Sequence, residues 1–194
     1  PLRLSGGISG VITPRLSLKL AGGYGWSFHQ GETLGAGSYQ GITGSAAVGY
    51  SYGATNMSDQ LQLGYEYSFD DALLGTFYTN HRMTFKITKH LFDEKLKMSA
   101  NVAFDIRDYA MDPGTVDQLA QGEDLEDQLL SAGASAGYNF TDWWSAGISY
   151  GLRANLTDDQ FLANTNLGDP DSPSRPVFRR YVQHEVLLRT KVKY

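Results

Sequence analysis

The chain contains no cysteine, so no disulfide framework and no thiolate site enter its chemistry. Prolines are scarce as well. All 6 lie at an end or in a link between alternating segments, which is where strands tolerate a residue with no backbone donor. Long apolar runs are missing: the longest are a few residues, far short of the roughly 20 that a helix needs to cross a bilayer. That excludes a helical anchor. It leaves the other structure able to satisfy every backbone polar group in lipid, a closed barrel, whose signal per strand is weak. There is no basic excess, since Lys and Arg number 16 against 21 Asp and Glu, and the net charge of -5 argues against a nucleic-acid partner. No N-terminal secretory signal segment is present, so the sequence reads as a mature chain or a piece of one.

The chain does have alternation. Apolar and polar residues exchange at every second position over long stretches, the period of a strand with one face of each kind. Nine strands are predicted, at 2–12, 16–28, 41–53, 60–70, 77–91, 96–110, 128–141, 143–156 and 178–194. Many run 11 to 15 residues, longer than the globular norm of about 5–6 and close to or beyond the roughly 9–11 that cross a membrane at a tilt. One set of faces reads Leu16, Leu18, Leu20, Tyr24, Trp26, Phe28; Leu61, Leu63, Tyr65, Tyr67, Phe69; and Leu96, Met98, Ala100, Val102, Phe104, Ile106. The opposite faces carry Ser17, Lys19, Gly23; Gln62, Gly64, Glu66; and Lys97, Ser99, Asn101, Asp105, Arg107. A soluble β-sandwich would alternate in the same way with its apolar faces buried, so alternation alone does not separate the two architectures.

Aromatic placement separates them. Tyr50, Tyr52, Phe92, Tyr138, Phe140, Trp143, Trp144 and Tyr194 gather near short links, and Tyr24, Trp26, Phe28, Tyr65, Tyr67, Phe69, Phe77, Tyr78, Tyr109 and Tyr181 near long ones. Two belts at strand ends are what two membrane interfaces require and a sandwich core does not. The expected girdle is Trp26, Tyr65, Tyr67, Tyr138, Trp143, Trp144 and Tyr194. The links divide likewise: 13–15, 54–59, 93–95 and 141–142 are tight, while 29–40, 111–127 and 157–177 are long and rich in Gly, Pro, Asp and Asn. Asp70 to Gly75 is an unusually short link on the long side. In the last strand Val186, Leu188, Thr190, Val192 and Tyr194 share one face, and Glu185, Arg189, Lys191 and Lys193 the other. Soluble chain ends are usually frayed and polar; this one is regular and stops on an aromatic.

Such a terminal strand resembles the final strand of bacterial outer-membrane β-barrels, and the general likeness covers essentially the whole chain. The resemblance implies one all-β domain over 1–194, an antiparallel transmembrane up-and-down barrel in the outer membrane of a Gram-negative cell. Its implied partners are the lipid bilayer with lipopolysaccharide, periplasmic proteins, and the barrel-insertion machinery, which would read Val186, Leu188, Val192 and Tyr194 as its signal. No nucleic acid and no cofactor are expected. Barrels of this kind keep short turns on the periplasmic side. The phrase from Ile12 through Thr13, Pro14, Arg15, Leu16 and Ser17 to Leu18 is similar to the periplasmic turns of porin-like barrels associated with exopolysaccharide export. Nine strands would put Pro1 at the extracellular rim and Tyr194 in the periplasm, whereas single-chain bacterial barrels usually have an even number. The expectation is therefore the C-terminal part of a larger barrel, with an odd number of strands missing before Pro1.

The implied function is a channel or export pore for solutes or polysaccharide. The alternative is a closed-lumen barrel acting as a membrane anchor or scaffold for periplasmic or surface partners. Lumen-lining charges are expected at Lys19, Glu66, Arg82, Lys86, Lys97, Asp105, Arg107, Arg153, Glu185, Arg189 and Lys191, where an excess of cations predicts a mild anion preference. Small inward residues, Ser131, Gly133, Ser135, Gly137, Ser145, Gly147, Ser149 and Gly151 with Ser45, Gly49 and Ser51, leave room for water or a ligand, or relieve crowding in a bent wall. The acidic links carry Asp112, Asp117, Glu123, Asp124, Glu126, Asp127, Asp158, Asp159, Asp169 and Asp171 without EF-hand spacing, and a solvated surface accounts for them better than a metal site does. No enzyme is predicted. The nearest approach to a catalytic group is Asp70, Asp71, Asn80 and His81, expected close together at the outer rim. His184 is expected on the apolar face near the outer interface.

Overall fold

The fold is described from a computed structural model of the chain, covering residues 2–26, 40–53, 59–71, 77–110, 125–157, 160–164, 174–178 and 180–192. It is all-β, with eleven strands: β1 (Leu2–Thr13), β2 (Leu16–Trp26), β3 (Gln40–Tyr52), β4 (Asp59–Asp71), β5 (Phe77–Leu91), β6 (Leu96–Ala110), β7 (Leu125–Asn139), β8 (Trp144–Asn155), β9 (Gln160–Asn164), β10 (Ser174–Phe178) and β11 (Tyr181–Val192). Nine form one antiparallel up-and-down sheet in the order β1-β2-β3-β4-β5-β6-β7-β8-β11, and β9 pairs only with β10. The alternation therefore located every strand of the main sheet. Link 157–177 contains the additional β9–β10 hairpin, and β7 begins three residues earlier than the predicted 128.

The sheet is not closed. β1 and β11 are its two edges, and they run in the same direction because nine successive antiparallel strands separate the ends by an even number of reversals. They cannot pair antiparallel with each other.

The register carries each face across the whole sheet. One row reads Leu18, Val48, Leu63, Phe85, Val102, Ala132, Leu152, His184 from β2 to β11. The row beside it, on the other face, reads Lys19, Ala47, Gly64, Thr84, Ala103, Ser131, Arg153, Gln183. A two-sheet sandwich would bury Leu18, Leu63 and Val102 in a common core. Instead Leu63 is 58% exposed and Val102 42% exposed, and no second sheet faces them. Among the described residues only Phe69, Ala103 and Ala154 are buried apolar side chains, while Asp59, Thr88, Asp105, Asp127, Asn155 and Thr157 are buried polar ones. The usual relation between polarity and burial is reversed.

Glycines show which way the sheet bends. On the apolar face a Cβ added at Gly6, Gly10 or Gly22 would meet nothing within 4 Å. On the polar face a Cβ at Gly49 would lie 2.6 Å from Ser17 Oγ, one at Gly64 2.6 Å from Thr84 Oγ1, and one at Gly133 2.8 Å from Asn101 Oδ1. Crowding on one side and open space on the other mean that the sheet curls toward its polar face, making that face concave.

The short turns descend across the sheet in regular steps. Leu16 pairs with Tyr50, so β3 runs two residues past the start of β2. Gln60 pairs with Thr88, which puts Lys89 opposite Asp59 and Leu91 two residues further. Leu96 pairs with Tyr138 and Tyr138 with Ala146, so Trp144 lies two residues further again. Two residues per hairpin is one per strand. With a rise of about 3.3 Å against a strand spacing of about 4.8 Å, turns held at one height require a tilt of about 35°, the lower end of the range for barrel walls.

Phe69 departs from its expected face. The β3–β4 ladder ends at Gly44↔Tyr67, and beyond it the Phe69 ring lies on the polar side, 1% exposed, against Gly25. Arg3 stacks over that ring with its guanidinium 4.9 Å from the centroid and donates to the Phe69 carbonyl. Gly25→Ala would drive a Cβ into the ring and should destabilise by about 1–3 kcal/mol. Gly22→Ala, in open space, should stay within about 0.5 kcal/mol of the parent. Denaturant titration of both variants in lipid tests the difference.

Candidate functional site: the polar wall

All eleven predicted lumen residues share the concave face. Their cross-strand partners fix this: Lys19 lies opposite Ser9 and Ala47, Glu66 opposite Ser45 and Arg82, Lys86 opposite Gln62 and Asn101, Lys97 opposite His90 and Gly137. Arg82 meets Asp105, Arg107 meets Asp127, Arg153 meets Ser131, and Glu185, Arg189 and Lys191 face Gly151, Gly147 and Ser145.

Counted from the short-turn end of each strand, these charges fall into layers. Lys97 is second in β6 and Lys191 second from the end of β11; Lys19 is fourth in β2 and Arg189 fourth from the end of β11; Lys86 is sixth from the end of β5. Glu66 and Glu185 both stand eighth, and Arg82, Asp105 and Arg153 all stand tenth. Because the turns step down evenly, equal counts mean equal heights on the tilted wall.

The two ends differ in chemistry. Toward the long links Asp105 and Asp127 are buried and several charges are paired, while Arg82, Arg3, Asp70 and Arg153 are exposed. Asp105, 4% exposed, accepts from Asn80 Nδ2 at 3.2 Å and lies 3.7 Å from Arg82 Nε. Arg107 stacks on Tyr78 at 5.0 Å. Asp127, also 4% exposed, accepts from Tyr109 OH at 2.8 Å, Asn155 Nδ2 at 3.2 Å and Thr157 Oγ1 at 3.3 Å. Arg3 lies 3.6 Å from Asp70. Toward the short turns, Lys19, Lys86, Lys97, Arg189 and Lys191 are exposed and make no ion pair among the described residues. The one strand carboxylate at that end, Asp59, accepts the His90 backbone N–H at 2.6 Å and lies 3.5 Å from His90 Nδ1, and the turns themselves carry exposed Asp93, Glu94 and Asp142.

The small inward residues are mostly packed. At Gly49, Gly64 and Gly133 a neighbouring side chain already fills the space a Cβ would take, which favours relief of crowding over a ligand pocket; Gly137 alone of that group faces open space within 4 Å.

On the outer face the expected girdle is placed in part. Tyr138, Phe140 and Trp144 stack around the 140–143 bend, with ring centroids 4.9 and 4.3 Å apart, and Trp143 is exposed beside them. Trp26 packs on Tyr24 at 4.9 Å at the far end of β2. Tyr65 is a correction: it is the seventh of thirteen residues in β4, a mid-strand position, because the strand continues to Asp71. Tyr78 and Tyr109, 5.3 Å apart, also leave the outer belt, since they stand on the polar face beside Arg107. Tyr194 lies outside the described residues. Val186, Leu188 and Val192 are on the outer face, 62%, 79% and 45% exposed.

The proposed catalytic neighbourhood is not assembled. Asn80 and His81 are consecutive in β5 and point to opposite faces, Asn80 to Asp105 and His81 to the Tyr65 hydroxyl at 2.8 Å. Asp70 is at Arg3, and the Asp71 side chain lies outside the described residues. His184 stands on the apolar face as expected, 2.7 Å from Tyr150 OH. Of the acidic-link residues only Glu126 and Asp127 are described, both in β7, and no metal-binding cluster occurs among the described residues. Two residues escaped the sequence: Arg3, which had no visible partner in its own strand, and Lys89, which breaks the alternation by standing on the apolar face opposite Met98.

Comparison with protein-family models, curated proteins and solved structures finds no match for this chain.

Removing the Asp127 carboxylate would strand three donors in a buried site. Asp127→Ala should cost roughly 2–4 kcal/mol, whereas Asp108→Ala, at an exposed position, should cost under about 0.5 kcal/mol, both read from denaturant midpoints.

Proposed function

We propose that the chain is a wall of an outer-membrane β-barrel whose polar concave face lines an aqueous lumen, serving as a channel or export pore for solutes or polysaccharide. The observation that carries this is the reversed burial: Leu4, Ile8, Leu63, Met83, Phe85, Met98, Val102, Ile148 and Leu188 are each at least 40% exposed on one continuous face, while carboxylates are buried on the other. In water such a face would be an aggregation liability; in a bilayer it is the solvated one. Short turns would face the periplasm, with lipopolysaccharide outside and the aromatic residues Trp26, Tyr67, Tyr138, Trp143 and Trp144 at the interfaces. The strand tilt required by the stepped turns supports the same arrangement. Closure with antiparallel pairing throughout needs an odd number of further strands between β11 and β1, because those two run in the same direction.

A second reading has its own support. The buried, satisfied network at Asp105, Asp127, Asn155 and Thr157 fits a lumen filled by protein at the long-link end, as in an anchor or scaffold barrel. Conductance in planar bilayers separates the two. Steady ohmic steps are expected for an open lumen, and their absence would favour the scaffold.

The absence of native cysteine makes single-Cys variants clean probes. Cysteines at Lys19, Glu66, Lys97, Arg107, Arg189 and Lys191 should react with a water-soluble thiol reagent in liposomes, and those at Leu63, Ile148 and Leu188 should be protected. The opposite pattern would reverse the assigned faces. Leu188→Arg should cost roughly 2–4 kcal/mol if the site lies near the bilayer midplane, and Arg189→Leu far less. Equal losses in lipid would remove the membrane reading.

A further inference from the structure

We infer that the short-turn end of the polar wall is a binding belt for a flexible polyanion of the acidic-polysaccharide type; the inference rests on the polar face being the lumen wall. Its members are Lys19, Lys86, Lys97, Arg189 and Lys191. All five lie within six residues of the short-turn ends of their strands, all are exposed on the concave face, and none has an ion pair among the described residues. Elsewhere on the same face carboxylates accompany three of the four cations, Asp105 beside Arg82, Asp70 beside Arg3 and Asp127 opposite Arg107, while Arg153 is exposed between Ser131 and Gln183. At the short-turn end the strands carry one carboxylate, Asp59, which His90 engages, and the turns carry exposed Asp93, Glu94 and Asp142, the last lining the same cavity as Lys191. Cations in excess of the carboxylates beside them attract mobile anions, and concave walls of low dielectric intensify the field.

The spacing points to a polymer rather than a single anion. Lys19 on β2 and Lys86 on β5 are three strands apart, as are Lys97 on β6 and Lys191 on β11; at about 4.8 Å per strand each gap is about 14 Å along the wall. One phosphate or sulfate cannot bridge that distance, whereas a chain with an acidic group on successive units can. Hydroxyl and amide groups fill the intervals, with Ser17, Gln62, Ser99, Asn101 and Ser145 on the same face. They suit sugar hydroxyls. No aromatic side chain stands among the belt residues on this face, so the stacking platform that single-stranded nucleic acid uses is missing. Glu66 and Glu185 form an anionic layer immediately above, which confines the bound anion to the mouth.

The test uses the full protein in detergent micelles with fluorescent dextran sulfate as probe, beside neutral dextran of equal length and a single-stranded oligonucleotide. Dextran sulfate should bind, neutral dextran should not, and affinity should fall as salt rises. The triple variant Lys86→Gln, Lys97→Gln, Lys191→Gln should weaken binding by roughly tenfold, with its β-sheet circular dichroism and heat-modifiable mobility retained. Lys89→Gln, at the same end but on the opposite face, should leave binding unchanged. Equal binding of neutral dextran, tighter binding of the oligonucleotide, an unaffected triple variant or an equal loss with Lys89→Gln would each overturn the proposal. Conductance of the same preparation is scored separately. Selective dextran sulfate binding without conductance would remove the open-channel reading and leave the belt standing, and conductance without that binding would do the reverse.

Discussion

The sense in which the sheet curls is the constraint from which the other features follow. A strand with one apolar and one polar face can bend either way, and the two outcomes demand different solvents. Bending toward the apolar face gives a dry core and a wet exterior. This sheet bends toward its polar face, where Gly49, Gly64 and Gly133 accept the neighbouring Ser17, Thr84 and Asn101 side chains into the space a Cβ would occupy. Larger residues at those positions would force the wall flatter. The apolar side chains are consequently spread over the convex surface, where area is greatest, and they cannot bury one another. Among the described residues no hydrophobic core stabilises the chain. The backbone ladders, the surrounding medium and the polar contacts of the inner face must do so together, and the hydrocarbon medium proposed above would make exposed Leu63, Val102 and Leu188 favourable.

What was legible in the sequence is what depends on a strand's own period. The alternation of Leu61, Leu63 and Tyr65 with Gln62, Gly64 and Glu66 placed β4 and assigned its faces, because successive side chains in a strand must diverge by half a turn. The same rule put all eleven polar-wall charges on one face, and the register between strands does so too. It failed where register between strands decides the outcome. Phe69 follows the alternation on paper, yet its ring crosses to the polar side once β4 passes the end of its ladder with β3, where Gly25 leaves a space and Arg3 covers it. Asn80 and His81 looked like neighbours in a site, but neighbours in a strand point apart. The contacts of Asp127 with Asn155 and Thr157 span 28 and 30 residues of sequence and leave no local pattern.

The Tyr–His pairs illustrate the middle case. Tyr65 and Tyr150 each stand seventh from the short-turn end of their strands, β4 and β8, and each hydroxyl meets the Nδ1 of a histidine on the next strand, two positions higher. The residue types were visible; their equal height was not, because it emerges only after the two-residue step of each hairpin is counted. An imidazole on an apolar surface retains a polar atom that needs a partner. The tyrosine supplies it from the same face, so the histidine is tolerated there without reaching to the polar side.

The distribution of charge along the wall also constrains which parts of it face water. Asp105 and Asp127 are each 4% exposed; Asp105 holds a hydrogen bond from Asn80 and an ion pair with Arg82, and Asp127 holds three hydrogen-bonding side chains, as a carboxylate withdrawn from water must. Lys19, Lys86, Lys97, Arg189 and Lys191 have no such partners and are exposed. An unpaired cation removed from water would cost several kcal/mol, and these five, standing second to sixth from the short turns, would repel one another besides. They can stand there only if water reaches all of them. The short-turn end of the wall therefore has to face water, whereas at the long-link end Asp105 and Asp127 are withdrawn among side chains that satisfy them.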